Sequence, residues 1–346
     1  MTIQVTMFDT NTLLGVMREV EPATTYFLDL AFGQTVTSDN EYIDFEKLSD
    51  GRKLAPLVVP LAQGVPMFDQ QTKVTRLKPA YLKPKDAVTA ARTLRKNPSA
   101  LLGQTNTSPA ARYNAIIGDI MQAHRNGIER RWEWMAAQAL LTGAITLVGP
   151  DYPEVVVNFG RESNHSVDLT SGVTWDDPDA DILGDIQVWV DRVAQAKFGG
   201  IVNRITFGPA AWSAFSKNAG VKAQLDTQVR GTGADFVTGI SSGAYVKRMG
   251  QINGIELYVY NDYYEVNGSP VPFMSTNDVL LTSPSINGIR AFGAILDSDA
   301  QLKPLAVFPK MWKQEDPSVT YVMSQSAPLM VPINPNASLR ATVLSS

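Results

Sequence analysis

Asp177, Asp179 and Asp181 have the one-three-five spacing with which a calcium-binding loop presents its first carboxylates. The rest of that loop is missing. Ile182 stands where the glycine belongs, and Val188 where the closing bidentate glutamate belongs. Three acids directly ahead of a helical pattern have a plainer role, because a helix N-terminus favours negative charge. The segment Arg230–Gly239 (RGTGADFVTG) spaces its glycines like a phosphate-binding loop. No Lys-Ser/Thr follows them and no apolar strand leads in, so it reads as a loop. Only two histidines occur. His124 falls on the apolar stripe of a long helical pattern and reads as a packed or interface side chain. His165, in RESNHSVD, reads as a loop residue. No Gly-x-Ser-x-Gly elbow occurs and neither histidine has a triad context. The absence of cysteine removes disulfides, thiol nucleophiles and zinc–thiolate sites together. These residues suggest no catalytic centre, metal or cofactor. The best enzyme alternative is a metal-dependent soluble hydrolase built on the 176–185 acidic cluster.

The elements that would have to position any chemistry are more informative. With 346 residues, 44% hydrophobic, 18% charged and net charge −4, the chain has the composition of a soluble globular protein. A single core usually stops growing at about 250–300 residues, so two cores, or one core with extended arms, are expected. No run reaches the length of a membrane span, and MTIQVTMFDT lacks the features of a secretory leader. The expectation is a protein that stays where it is made, with no membrane partner.

Charge is unevenly spread. Residues 1–50 carry nine acids against Arg18 and Lys47, a net −7, whereas residues 51–99 carry ten basic residues against Asp69 and Asp86, a net +8. Blocks of opposite sign suggest segments that seek each other, in one chain or in neighbouring copies. The basic block has Tyr81 but no aromatic stacking platform, so contact with nucleic acid would be to phosphate rather than bases.

Along the chain, TNTLLGVMREV is helical in pattern. EYIDFEKL, KLAPLVVPL and TKVTRLKP read as strands interrupted by Pro56, Pro60, Gly64 and Pro66, which suits an extended hairpin lying against something else. Ser108 followed by Pro109 opens the clearest element, a helix running to about Leu141 with Gly143 as its stop. Tyr113, Ile117, Ile120, His124, Ile128, Met135 and Ala139 form one apolar stripe, with Asp119, Gln122, Arg125, Glu129 and Glu133 off it. Its length, roughly 50 Å at 1.5 Å per residue, suits a structural spine. A second helix runs from Ile182 towards Phe198, IVNRITFG reads as a strand and PAAWSAFSKN as a short helix. Asn267-Gly268 suits a type I′ hairpin turn. Residues 301–346 return to strands, among them VTYVMSQSAPLMVP (Val319–Pro332), whose closing Ala-Pro-Leu-Met-Val-Pro string contains no nucleophile, acid or metal ligand.

Five segments, in order, resemble the major capsid proteins of lambda-like tailed phages, the major head protein E family. They are PAYLKPKDAV (Pro79–Val88), LDTQVRGTG (Leu225–Gly233), YYEVNGSPVPFM, IRAFGAILDSDAQ (Ile289–Gln301) and FPKMWKQEDPSVTYVMSQSAPLM. Each is weak alone; the shared order across most of the chain is specific. The resemblance implies an α+β fold, the tailed-phage major capsid fold. It would have an N-terminal arm (1–40), an extended loop (41–86) and a peripheral domain (87–180 with 301–346) whose spine helix covers about 109–141. An axial domain would occupy 181–300. It also implies self-assembly into pentamers and hexamers that close an icosahedral head around double-stranded DNA. Expected partners are a scaffolding protein, a portal and a decoration protein, with assembly in the host cytoplasm and residence in the virion. A cellular nanocompartment shell would use the same fold. Residues 1–40 depart most from the family pattern.

Assembly then replaces catalysis as the expected mechanism. Arg52, Lys53, Lys73, Arg76 and Lys78 of the basic loop would meet acids of an adjacent copy. Glu41, Asp44 and Glu46 of the acidic block and Glu129 and Glu133 of the helix are the candidates.

Overall fold

The structure, a computed structural model, describes residues 25–40, 42–48, 72–77, 79–94, 109–149, 152–170, 172–223, 241–243 and 245–345. The TNTLLGVMREV helix, the KLAPLVVPL strand and the Arg230–Gly239 loop expected from sequence lie outside these residues.

The long helix spans Pro109–Thr142, with proline at its first position and Gly143 beyond its end at φ +71°. It crosses two environments. Its first half buries Ile116, Ile117, Ile120 and Met121 against Val88, Met311 and Val322. Those partners belong to a three-stranded antiparallel sheet of Phe308–Gln314, Val319–Gln325 and Lys85–Thr89. In Val319–Gln325 the period-two pattern holds: Thr320, Val322 and Ser324 point inward while Val319, Tyr321 and Met323 are half-buried. The second half of the helix is covered nearly all round. Trp132, Met135, Ala136, Ala137, Ala139, Leu140 and Leu141 are all buried.

That covering comes from four directions. The helix Tyr26–Ala31 supplies Phe27 and Leu28, and the hairpin Ala144–Gly149/Tyr152–Asn158 supplies Ile145 and Leu147. A three-stranded sheet of Gln34–Thr37, Ile289–Phe292 and Pro328–Val331 supplies Phe292, Leu329 and Met330. The fourth side is one face of a seven-stranded mixed sheet. Its order is Ser166–Asp168, Ser338–Thr342, Asp278–Thr282, Arg204–Phe207, Ile255–Tyr260, Val246–Ile252 and Ser241–Gly243.

This large sheet is a shared wall. Leu280, Tyr258 and Tyr260 face the core of the long helix, while Val279, Leu281, Leu257, Leu339 and Ala341 face a second core. The second core is closed by helices Ile182–Gln195 and Pro209–Lys217 and by Trp175, stacked on Trp189 at 5.6 Å. Burial on both faces explains why all five residues of Asp278–Thr282 are inaccessible.

The large sheet crosses the expected division into 87–180 with 301–346 and 181–300. Ser338–Thr342 pairs residue for residue with Asp278–Thr282, and Ser166–Asp168 pairs in parallel with the same tail strand. Segments 166–168 and 338–342 thus belong to the sheet of 181–300. A sheet with a core on each face cannot be assigned to either core alone. The hairpin Tyr263–Val266/Ser269–Pro272 turns at Asn267 (φ +51°) and Gly268 (φ +80°), the two positive φ values a type I′ turn requires.

Candidate subunit-assembly site

The extended hairpin begins as Ile43–Leu48 paired with Thr72–Leu77. The register sets Asp44 opposite Arg76, Glu46 opposite Val74, and Lys47 opposite Lys73. Directly opposed positions share a face, so at one level the register pairs an acidic position of the first strand with a basic position of the second. At another, two lysines are opposed with no acid at a directly facing position. Arg76 is exposed, with its guanidinium carbon 5.8 Å from the Tyr42 ring centroid. Glu41, Arg52, Lys53 and Lys78 lie outside the described residues.

Below the hairpin, its root is tied down by polar contacts. Asp86 Oδ2 lies 2.9 Å from His124 Nε2 on the long helix, and His124 Nδ1 lies 3.2 Å from Ser324 Oγ. The packed-histidine reading of His124 is what the geometry shows: its ring is buried and both nitrogens have partners. The Lys85 ammonium sits 4.1 Å from the Tyr321 ring centroid and 5.2 Å from that of Trp312, and those two rings stack. Tyr81 accepts from the Leu296 amide at 2.7 Å and donates to Gln325 Oε1 at 3.1 Å. Gln325 Nε2 in turn donates to Asp297 at 2.8 Å, and Lys310 bridges Asp297 and Asp299. Burial alone would raise the Asp297 carboxyl. Hydrogen bonds from Lys310 and Gln325 outweigh it and hold the group below the usual carboxylate range.

Glu129 and Glu133, expected off the apolar stripe and open to a neighbouring copy, are instead 5% and 2% exposed. The cause is the covering of the helix on the side these two acids occupy, while Arg130 and Arg131 keep the exposed face at this level. Glu129 accepts from Arg125 Nε at 2.8 Å, one turn earlier. Glu133 Oε1 accepts from the Phe27 amide at 2.8 Å and from the Tyr260 hydroxyl at 3.2 Å, and Oε2 accepts from the Leu28 amide at 2.9 Å. Those amides are orphan donors of the first turn of Tyr26–Ala31, whose own N-cap, Thr25, makes no capping bond. A carboxylate more than a hundred residues away supplies the missing cap. Burial, aided by the charge of Asp29, pushes Glu133 up to about 7. Its signal in the sequence is an acid between Trp132 and Trp134, with no further charge before Thr142.

The far end of the long helix is capped from a distance as well. Arg161 donates from Nη1 to the Leu140 carbonyl and from Nη2 to the Leu141 carbonyl and Ser166 Oγ, each at 2.7 Å. Burial and the nearby Arg340 lower this guanidinium to about 10, which leaves it cationic at neutral pH. Its charge complements the helix C-terminus. No spacing rule marks Arg161 for this task.

The acidic segment 176–185 is occupied locally. Asp177 Oδ1 accepts from the Asp179 amide at 2.9 Å, and Asp181 caps its helix by accepting from the Gly184 amide at 3.0 Å. Among the described residues no group of three or more His, Asp or Glu is placed to hold a metal ion. His165, expected in a loop, is fully buried in a short 3-10 turn with Nδ1 3.0 Å from the Ser338 carbonyl. Among the described residues no helix is long and apolar enough to cross a membrane.

The family described as phage major capsid protein E matches residues 9–343. The major capsid protein of Escherichia phage lambda is 29% identical over 338 residues, covering 95% of this chain and 97% of that protein. The major capsid protein of Escherichia phage N15 is 28% identical over the same span and coverage. Among solved structures, a prophage capsid protein of Escherichia coli CFT073 superposes with a TM-score of 0.69. It is 21% identical and covers 97% of this chain and 99% of its own. The α+β fold is that of phage capsid proteins.

Proposed function

This chain belongs to the phage major capsid protein E family, and we propose that its copies assemble into the pentamers and hexamers of an icosahedral head enclosing double-stranded DNA. The observation that carries this reading is the family match across residues 9–343. The architecture supports it: a long helix buried on several sides, two cores sharing one sheet, and a charged hairpin leaving the body. The family is structural, and its members are virion components. Assembly would take place in the host cytoplasm, helped by a scaffolding protein, with a portal at one vertex and a decoration protein as a further partner.

Residues 1–40 act as the arm, 41–86 as the extended loop, 87–180 with 301–346 as the peripheral domain and 181–300 as the axial domain, the last two joined through one seven-stranded sheet. Arg52, Lys53, Lys73, Arg76 and Lys78 are the cations that reach a neighbouring copy, with Glu41, Asp44 and Glu46 as acids of the same interface. The register sets Lys47 and Lys73 at opposed positions, a cationic level of the hairpin that acids of a neighbouring copy would suit. Each exposed pair contributes only about 0–1 kcal/mol, but a closed shell repeats it in every copy.

Electron microscopy of the chain produced with its scaffolding protein tests the reading. Closed shells tens of nanometres across are expected, a rough size for hundreds of such domains. A discrete small oligomer under every condition would refute it.

A further inference from the structure

The Glu133 carboxylate has three donors on two oxygens, and two of them are backbone amides of the segment 25–32, which Arg290, the Gly288 amide and Thr206 also hold to the body. We propose that Glu133 is a proton-linked clasp that positions residues 25–32 on the long helix, tight when protonated and readied for release when ionised. Its use in shell assembly rests on the function proposed above; the clasp itself is a property of the subunit.

The geometry allows both states of the group. Ionised, it accepts all three bonds. Protonated, its hydroxyl can donate to the Tyr260 oxygen, which has lone pairs free once that hydroxyl turns, while both backbone amides keep an acceptor. The neutral form keeps a bond between Glu133 and Tyr260 with its direction reversed, and it sheds the penalty of a buried charge. The surroundings agree. From Tyr26–Ala31, Asp29 repels the ionised group, although Arg290 holds Asp29 at 2.8 Å. From the large sheet come Tyr260, Tyr258 and Arg204, the last lying over the Tyr258 ring. Tyr26, stacked on Tyr260, hydrogen-bonds Thr206 at 2.7 Å. Asp262 and, beyond it, Arg130 complete the charged groups near Tyr260. None of these cations bonds to the Glu133 carboxylate.

Lifting residues 25–32 would admit water and carry Asp29 away, returning Glu133 to the ordinary carboxylate range with release of its proton. Opening therefore becomes easier as pH rises, from the ordinary glutamate value to about 7, and levels off above it. The test is hydrogen–deuterium exchange of the full chain, unassembled, read on residues 25–32 and corrected for intrinsic exchange. The wild type should open about twentyfold more readily at pH 7.5 than at pH 5.5, the ratio that a rise from the ordinary value to about 7 gives by linkage. Glu133→Gln should abolish that difference. Gly288→Ala should loosen the segment equally at both pH values, because an added Cβ would lie 2.5 Å from the Ala31 carbonyl oxygen without touching Glu133. A wild type whose opening does not change with pH overturns the proposal, whatever the variants do. So does a Glu133→Gln chain that retains the wild-type response. Neither result bears on whether shells form.

Discussion

Gly143 and Gly160 flank the same hairpin at nearly the same backbone angle, φ +71° and +74°, but in different surroundings. A Cβ at Gly143 would lie 2.7 Å from Arg161 Cβ and 2.9 Å from its Nε, whereas one at Gly160 meets nothing within 4 Å. Gly160→Ala should therefore cost only the left-handed penalty, about 1–2 kcal/mol. Gly143→Ala carries that penalty and also displaces Arg161, which makes three bonds of 2.7 Å, two of them to the last carbonyls of the long helix. Hydrogen bonds to a charged group contribute about 1.5–3 kcal/mol each, so losing even one brings the total to about 2.5–5 kcal/mol. Urea unfolding followed by tryptophan fluorescence, compared at the transition that reports the long-helix core, reads the difference. A second arm isolates the cause: in an Arg161→Ala background, Gly143→Ala should lose the share of its cost that comes from the guanidinium bonds and keep only the left-handed penalty and the contact with the remaining Cβ at 161. Equal costs for the two glycine variants in the wild-type background would refute the argument, because backbone angle alone would then account for both.

Charge reversal of Arg76 and Lys78 to glutamate should prevent shell formation while circular dichroism shows a folded subunit, since exposed pairs hold little folding energy; normal shells from this variant would remove the hairpin from the interface. The Asp297 carboxyl is held below its ordinary range, so its contribution is complete above the usual carboxylate pKa and disappears as pH falls through its lowered folded value. On acid titration the wild type should lose protection of the Phe308–Gln314 strand in that window. Asp297→Asn should start less protected and show no such step; an unchanged acid step in the variant would assign the loss to another group. Asp86→Asn should weaken the contact with His124 and raise exchange in Lys85–Thr89 before the long helix is affected, and uniform loosening of both would count against a local tie.

Much of this fold can be read from local pattern. Pro109 and Gly143 bound a helix because proline is suited to a first turn and glycine to a left-handed stop, and Asn267-Gly268 makes its turn for the same kind of reason. What pattern misses is set by the partner of each surface. Glu129 and Glu133 fall off a stripe drawn for a helix with one buried face, but this helix has four neighbours at that level. The pairing of the strand Ser338–Thr342 was not legible because its partner lies more than fifty residues earlier. Arg161 lies in a loop with no periodicity, and only the end of the long helix gives it a role. The hairpin charges were legible as blocks; their register was not.

The parallel pairing of Gln34–Thr37 with Ile289–Phe292 sets a clock on synthesis. Gln34 and Ile289 are 255 positions apart, so the first strand leaves the ribosome long before its partner exists. At about 5–20 residues per second the wait is roughly 13–50 s. Through that interval neither this strand nor the neighbouring Tyr26–Ala31 helix, which rests on Tyr260 and Arg290, has its full seat. A nascent chain thus cannot present the finished body to other copies until it is nearly complete. The same interval leaves the strand Gln34–Thr37 without its partner while synthesis continues.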